Sequence, residues 1–498
     1  MSDKSKNGSM TGHLVRGSAW MIAGRWGMRA IGLFSTIILA RLLAPDDFGV
    51  IAIAMIVVGL LETIAYAGVD LALMRPGADT REHYDTAWTI QLIQGALIAG
   101  TLLLIAPWVS PFFSEPRATA VIQAIALRPL IVGCQNIGVV AFRKELDFAK
   151  DFRFSIYSKL LNFTIVVGLA FWLRSYWALV AGMASSSLIE VILSYVIHPY
   201  RPHLCLQRRH EIWGFSQWLI ISRVGAFLNR KTDEMVVGRL LGTSAMGGYH
   251  VANELATMPS SELVMPLRRA MFPTLAKVAE QPAELERLFC LSFSAIALIC
   301  FSVACGLMSI APELVPILLG EKWLSAIAAV RWLAVHAAFG SLVLTLEMPL
   351  WVTGRTRLTA AQTWLDLALL IPTAYFAATA WGLEGAALAR LAVSVAILPV
   401  MIGFVSSACG IRASRMYGDL WRPVFAGLIM FAVLSQITPE VIGSIALTLL
   451  VKILAGIVLY PASVLILWQL AGRPNGIERE AARLISARLA QRRNPTQS

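Results

Sequence analysis

Residues 17–54 read GSAWMIAGRWGMRAIGLFSTIILARLLAPDDFGVIAIA, and residues 215–252 read FSQWLIISRVGAFLNRKTDEMVVGRLLGTSAMGGYHVA. Laid over one another without a gap, at an offset of 198 residues, the two stretches share ten identities. Ser18, Trp20, Ile22, Arg25 and Gly27 match Ser216, Trp218, Ile220, Arg223 and Gly225. Arg41-Leu42-Leu43 matches Arg239-Leu240-Leu241, and Gly49 and Ala54 match Gly247 and Ala252. Apolar segments share composition, so some matches come free. Paired tryptophans, paired arginines and an Arg-Leu-Leu followed at fixed spacing by glycine do not. The stretches therefore read as two copies of one helical unit.

The rest of the chain says where those copies live. It has 498 residues, 57% hydrophobic and only 14% charged, with a mean hydropathy of +0.68. A soluble chain carries about 25% charged residues, so composition excludes a soluble enzyme and points to an all-α polytopic membrane protein. Apolar runs predict fourteen spans: 17–40, 48–74, 86–108, 118–141, 154–173, 175–197, 212–238, 247–267, 288–310, 323–352, 358–379, 384–408, 423–436 and 443–470. The first run is too long for a signal-peptide core and lacks a small-x-small cleavage site, so it is read as a span. Cys134, Cys205, Cys290, Cys300, Cys305 and Cys409 show no metal-ligand spacing, and neither a metal nor a cofactor is expected.

Loop charge predicts direction. With a cytoplasmic N-terminus, 27 lysines and arginines fall on the inner side and 5 on the outer side. That bias supports an even span count, with both termini cytoplasmic, and explains the net charge of +12 without nucleic acid. Six spans lie within the 198-residue offset, so the two copies point the same way, as in parallel-repeat transporters. The expected organisation is a cytoplasmic tail 1–16, an N-lobe 17–197, a linker 198–211, a C-lobe 212–408, two further spans within 409–470 and a basic amphipathic tail 471–498.

Arg41-Leu42-Leu43-Ala44-Pro45-Asp46-Asp47-Phe48-Gly49 resembles the first outer loop of Wzx-like polysaccharide-repeat-unit flippases. Asp233-Glu234-Met235-Val236-Val237-Gly238-Arg239-Leu240-Leu241-Gly242, then Gly247-Gly248-Tyr249, fits the same pattern, as does Phe142-Arg143-Lys144-Glu145-Leu146-Asp147-Phe148. The family belongs to the multidrug/oligosaccharidyl-lipid/polysaccharide exporter superfamily and serves polymers such as xanthan, succinoglycan and colanic acid. The resemblance implies two MATE-like six-helix lobes plus two C-terminal helices. It also implies that undecaprenyl-diphosphate-linked oligosaccharide is flipped to the outer leaflet of the bacterial cytoplasmic membrane. Polymerase and co-polymerase partners, and a monomer, follow as expectations.

The spans hold ten basic and nine acidic residues, each costing about 2.5–3.5 kcal/mol at a helix centre on insertion scales. Such groups should face a cavity or each other. Arg25 and Arg29 share one helix face, and Arg223 and Arg230 another. Guanidinium forks suit a diphosphate, so these four are the candidate substrate-binding residues; headgroup snorkelling is the competing role for Arg25. Glu62, Asp70, Asp233, Glu254 and Asp366 are candidates for H⁺ or Na⁺ coupling, with pairing to nearby arginines as the alternative. No catalytic residue is expected. The rival readings are a membrane polymerase or glycosyltransferase using Asp46-Asp47 outside, and a drug exporter of the same superfamily, which would need an acidic cavity.

Overall fold

The computed structural model describes residues 27–65, 73, 80–144, 148–209, 217–474 and 476–480, and these contain helices and no strand. The helices are α1 (residues 27–42), α2 (Pro45–Ala65), α3 (Arg81–Phe113), α4 (Arg117–Ile125), α5 (Leu127–Gly133), α6 (Val140–Lys144), α7 (Phe148–Leu173) and α8 (Trp177–Ile197). They continue with α9 (Gln217–Lys277), α10 (Pro282–Leu318), α11 (Ile327–Val352), α12 (Thr356–Cys409), α13 (Ala413–Ser435), α14 (Pro439–Ile442) and α15 (Ile445–Leu470). Among the described residues, nine helices are long and apolar enough to cross a bilayer.

Two of the helices, α9 and α12, are pairs. α9 runs 61 residues and α12 runs 54, whereas a bilayer core is about 30 Å and needs about 20 residues. α9 leaves helical geometry at Gly242, where φ is 85° and ψ 179°. Residues 16 apart then bond side chain to side chain: Tyr249 Oη donates to Asp233 at 2.8 Å, and His250 Nδ1 lies 3.4 Å from Glu234. A straight helix would hold them about 24 Å apart, so the chain reverses at Gly242. α12 reverses at Trp381–Gly382, where Gly382 takes φ 60°. Gly385 then sits so close to Ala377 that an added Cβ would stand 2.0 Å from its carbonyl oxygen. Both breaks fall at positive-φ glycines.

Span 4 differs from its expected single run of 118–141. α4 ends at Ile125, α5 at Gly133, and a short 3₁₀ turn follows at Ile137–Val139. Pro129 cannot donate within α5. Outside partners take up loosened carbonyls: Gln91 Nε2 donates to Val132 at 2.8 Å, and Tyr195 Oη to Cys134 at 3.0 Å. α3, α10 and α13 are also longer than their apolar runs, because their polar first turns are helical too.

By contacts the chain forms two compact units. The first comprises the described part of 1–231 with 242–247. In it, residues 198–209 do not hang free. His203 N donates to Asp85 at 2.9 Å, Cys205 N to Thr89 at 3.0 Å, and Arg208 Nε to Glu82 at 3.1 Å, so the segment is laced along the start of α3. Asn136, fully buried, donates to the Tyr200 carbonyl at 2.8 Å. The second unit comprises 232–241 and the described residues from 248 onward. Its core stacks Phe289 and Phe293 and buries Cys300, Cys305, Leu342 and Met401. Lys452 of α15 bonds Glu313 of α10 at 2.7 Å, both side chains nearly inaccessible, which ties the last helix to that core. Of the expected tail helix, only 477–480 are described; there Glu478 meets buried Arg422 at 3.0 Å.

Between helices of the first unit sits one polar knot. Pro45 opens α2 at its first position, and Asp47 reaches back to the Ala44 N–H at 2.9 Å, half of a capping box. Asp47 also accepts from Tyr176 N at 3.1 Å. Arg117 grips Glu115 with two bonds of 2.7 Å and reaches Asp46. The Arg117 guanidinium holds the Glu115 carboxyl below the ordinary carboxylate range, against the opposing pull of burial. A depressed carboxyl stabilises the fold above its unfolded pKa, and the contribution vanishes as pH falls through the folded value. The melting temperature in detergent should therefore drop less steeply on acidification below about pH 4.5, the ordinary carboxyl value, for Glu115→Gln than for the wild-type chain. Equal slopes would mean that Glu115 does not titrate through this pair.

Candidate functional site: a charged cavity and a buried ion cluster

The start of α9 faces α2 in the first unit. Arg223 and Arg230, two turns apart, both line a cavity of ≈ 440 Å³. Glu62, Thr63, Gly59 and Phe227 line it as well. The Phe227 ring closes on Gly59 so tightly that a Cβ there would lie 2.8 Å from it. The small residue lets α2 and α9 meet without filling the space beside Glu62. Arg128 of α5 bonds Glu62 at 2.7 Å, with both side chains partly exposed. Two arginines and one glutamate thus reach one cavity, and the glutamate is engaged by a third arginine. A cavity of several hundred Å³ takes a headgroup-sized ligand, and its guanidiniums suit an anion.

The second unit holds a drier cluster. Asp233 and Glu234 are 3% and 1% exposed. Asp233 accepts from Tyr249 Oη and lies 3.7 Å from the Arg390 guanidinium of α12; Glu234 faces His250. Ser394, one turn beyond Arg390, bonds the Arg390 carbonyl at 3.0 Å and His336 at 2.7 Å. Elsewhere in this unit Arg268 and Glu347, both mostly buried, approach to 4.0 Å.

The sequence candidates distribute accordingly. Arg223, Arg230 and Glu62 come together. Arg29 is half-buried on α1. Arg25 and Asp70 lie outside the described residues. Asp233 sits in the buried cluster, Glu254 is exposed on α9, and Asp366 is half-buried on α12. Sequence reasoning passed over Tyr249, His250 and His336, and placed Arg268 in an inner loop. The pairs 233/249 and 234/250 straddle Gly242, where α9 reverses. Among the described residues, no group of histidines, cysteines and acids could hold a metal ion.

The model of one family, described as "Polysaccharide biosynthesis protein", matches residues 38–328, more than half of the chain. The chain belongs to this family. It is 23% identical over 420 residues to the lipopolysaccharide biosynthesis protein WzxC of Escherichia coli (strain K12), covering 83% of this chain and 85% of that one. It is 25% identical over 315 residues to the succinoglycan biosynthesis transport protein ExoT of Rhizobium meliloti (strain 1021), covering 62% and 63%. Among solved structures, it resembles the lipid II flippase MurJ in an inward closed conformation. The TM-score is 0.71 at 12% identity, over 91% of this chain and all of that one. The fold is that of a multi-pass membrane transporter, as the hydropathy had implied.

The buried cluster predicts a coupled stability effect. Removing one member of a buried ion pair costs about 3–5 kcal/mol, while replacing both by apolar groups is often neutral. Asp233→Ala should lower the melting temperature sharply, and Asp233→Ala/Arg390→Met should recover most of the loss. Additive losses in the double variant would show that the two residues do not compensate each other.

Proposed function

We propose that this protein carries a diphosphate-linked oligosaccharide repeat unit, on its polyprenyl lipid, from the inner to the outer leaflet of the bacterial cytoplasmic membrane. The observation that carries the reading is the pair Arg223 and Arg230 on one helix face, opening with Glu62 onto one cavity. Arginine offers a diphosphate a planar pair of donors, whereas lysine offers a point charge. The relatives in polysaccharide transport and the flippase fold support the same reading. The N-lobe 17–197 and C-lobe 212–408 would alternate access to this cavity, with both termini in the cytoplasm, and the exported unit would pass to a polymerase outside.

The membrane potential favours this direction. Each negative charge moved outward gains about 2.3 kcal/mol per 100 mV, so two phosphates gain roughly 4–5 kcal/mol without an antiported ion. Two of the five candidate coupling acids already face arginine: Glu62 meets Arg128 and Asp233 meets Arg390. We assign those two to charge compensation. The engagement of Asp47 with the backbone donors of Ala44 and Tyr176, and of Asp46 with Arg117 and Thr243, favours a structural role for both over the polymerase reading. The drug-exporter reading requires an acidic cavity, and this one is lined by arginines.

The test locates the lipid-linked oligosaccharide in spheroplasts with an externally added lectin. Cells lacking the protein should accumulate intermediate that the lectin cannot reach. Arg223→Ala/Arg230→Ala should behave like the deletion with the protein still inserted, and the double lysine variant should recover only part of the export. Normal lectin access in the double alanine variant would remove the cationic-cavity idea. Accessible single units that never lengthen in the deletion strain would favour the polymerase.

A further inference from the structure

The sequence repeat reappears in the structure as a contact. Gly49 lies so close to residue 243 that an added Cβ would stand 1.9 Å from the Thr243 carbonyl oxygen. Gly247 lies so close to residue 45 that its Cβ would stand 1.8 Å from the Pro45 carbonyl oxygen. Position 45 is the repeat equivalent of 243, and 49 of 247, at the offset of 198 that relates residues 17–54 to 215–252. Residue i touches j, and the equivalent of i touches the equivalent of j. That reciprocity is the signature of a two-fold axis passing through the contact. The helix starting at Pro45 and the helix starting at Thr243 therefore cross at the pseudo-axis of the repeat, backbone against backbone.

Three details describe this crossing. Its surface is small: glycine Cα atoms against carbonyls, with Asp46 accepting one side-chain bond from Thr243. The residue just before Thr243 is Gly242, whose positive φ makes the turn and whose would-be Cβ meets nothing within 4 Å. The polar knot stands beside it, since Arg117 and Glu115 reach the same Asp46 and Thr243. By the loop-charge bias this end of the axis is the outer one.

We propose that the Gly49–Thr243/Gly247–Pro45 crossing is the outer gate of the transport path, a dry backbone seal that Gly242 lets part when the substrate leaves. A contact on the axis closes the path between two parallel repeats at that end. No room for a sugar chain remains where two backbones touch. The glycines are required because any side chain would push the helices apart by more than an ångström. The inference rests on the flippase reading, and the same assay distinguishes the two.

Asp46→Cys/Thr243→Cys joins two side chains already in hydrogen-bond contact. The pair is oxidised in spheroplasts with copper phenanthroline, the 46–243 link is verified by mass spectrometry, and the wild-type chain with its six native cysteines serves as control. The expected result is a disulfide, loss of lectin access to new lipid-linked oligosaccharide, and recovery after a phosphine reductant. A linked chain that exports at the unlinked rate would overturn the gate and make the crossing a permanent clasp. Failure of the inserted, folded chain to form the link would show that the crossing is not made in the membrane, and would also overturn it. Gly49→Ala and Gly247→Ala provide a second measurement without cysteines. Each should insert normally yet export at the level of the deletion strain, whereas Gly403→Ala, which meets nothing within 4 Å, should be unchanged. Normal export by both would again refute the seal. If the wild-type chain itself made no difference to lectin access, the flippase reading would fall instead.

Discussion

Charge compensation inside an apolar solvent organises this molecule. A bilayer offers no water to a stranded guanidinium or carboxylate, so each ionised side chain in a span must find a partner on another segment. The partners found are long-range in sequence: Lys452 with Glu313, Asp233 with Arg390, Glu62 with Arg128, Arg268 with Glu347. Each pair joins two helices and sets their relative height, which hydrophobic packing against lipid-like neighbours cannot do alone. The last helix shows this most simply. α15 is nearly all apolar, and its one buried lysine both donates to the Ser309 carbonyl at 3.2 Å and meets Glu313.

A second constraint acts on the backbone. Helices that meet through small residues gain contact area and lose little entropy, and membrane proteins use them at crossings. Here the close approaches are directional. Gly95 lets α3 touch the Pro129 carbonyl, where α5 has lost a donor, while Gly427 admits Cys305 against α13. Gly242 and Gly382 do something different: they permit reversals that fold one long helical stretch into two arms. Glycine position thus carries as much topological information as hydropathy does.

Much of the fold was legible because the bilayer imposes a length on every span. Runs of apolar residue can be counted, and Trp381-Gly382 could be read as a break from the charge and glycine nearby. What could not be read is which charge faces which. Asp233 and Glu254 look alike in a list of acids in spans. One is fully enclosed with Tyr249 and Arg390, and the other is exposed, because facing depends on helix rotation, which a composition-level reading does not resolve. Asp46 and Asp47 looked available for chemistry for the same reason. Their donors come from Thr243 and Arg117 for one and Tyr176 for the other, far along the chain. The 198-residue repeat was visible, but the sense in which Gly49 and Gly247 are equivalent needed coordinates.

These two constraints act differently on the cavity and on the buried cluster. The cavity beside Arg223 and Arg230 is lined by partly exposed charge, and its glutamate already has Arg128, so a doubly charged headgroup would enter against little opposing negative charge. The Asp233 cluster is enclosed, with hydroxyl, imidazole and guanidinium groups placed around two adjacent carboxylates. Enclosure makes such a network costly to disturb, which suits a fixed joint between the two arms of the α9 hairpin and α12.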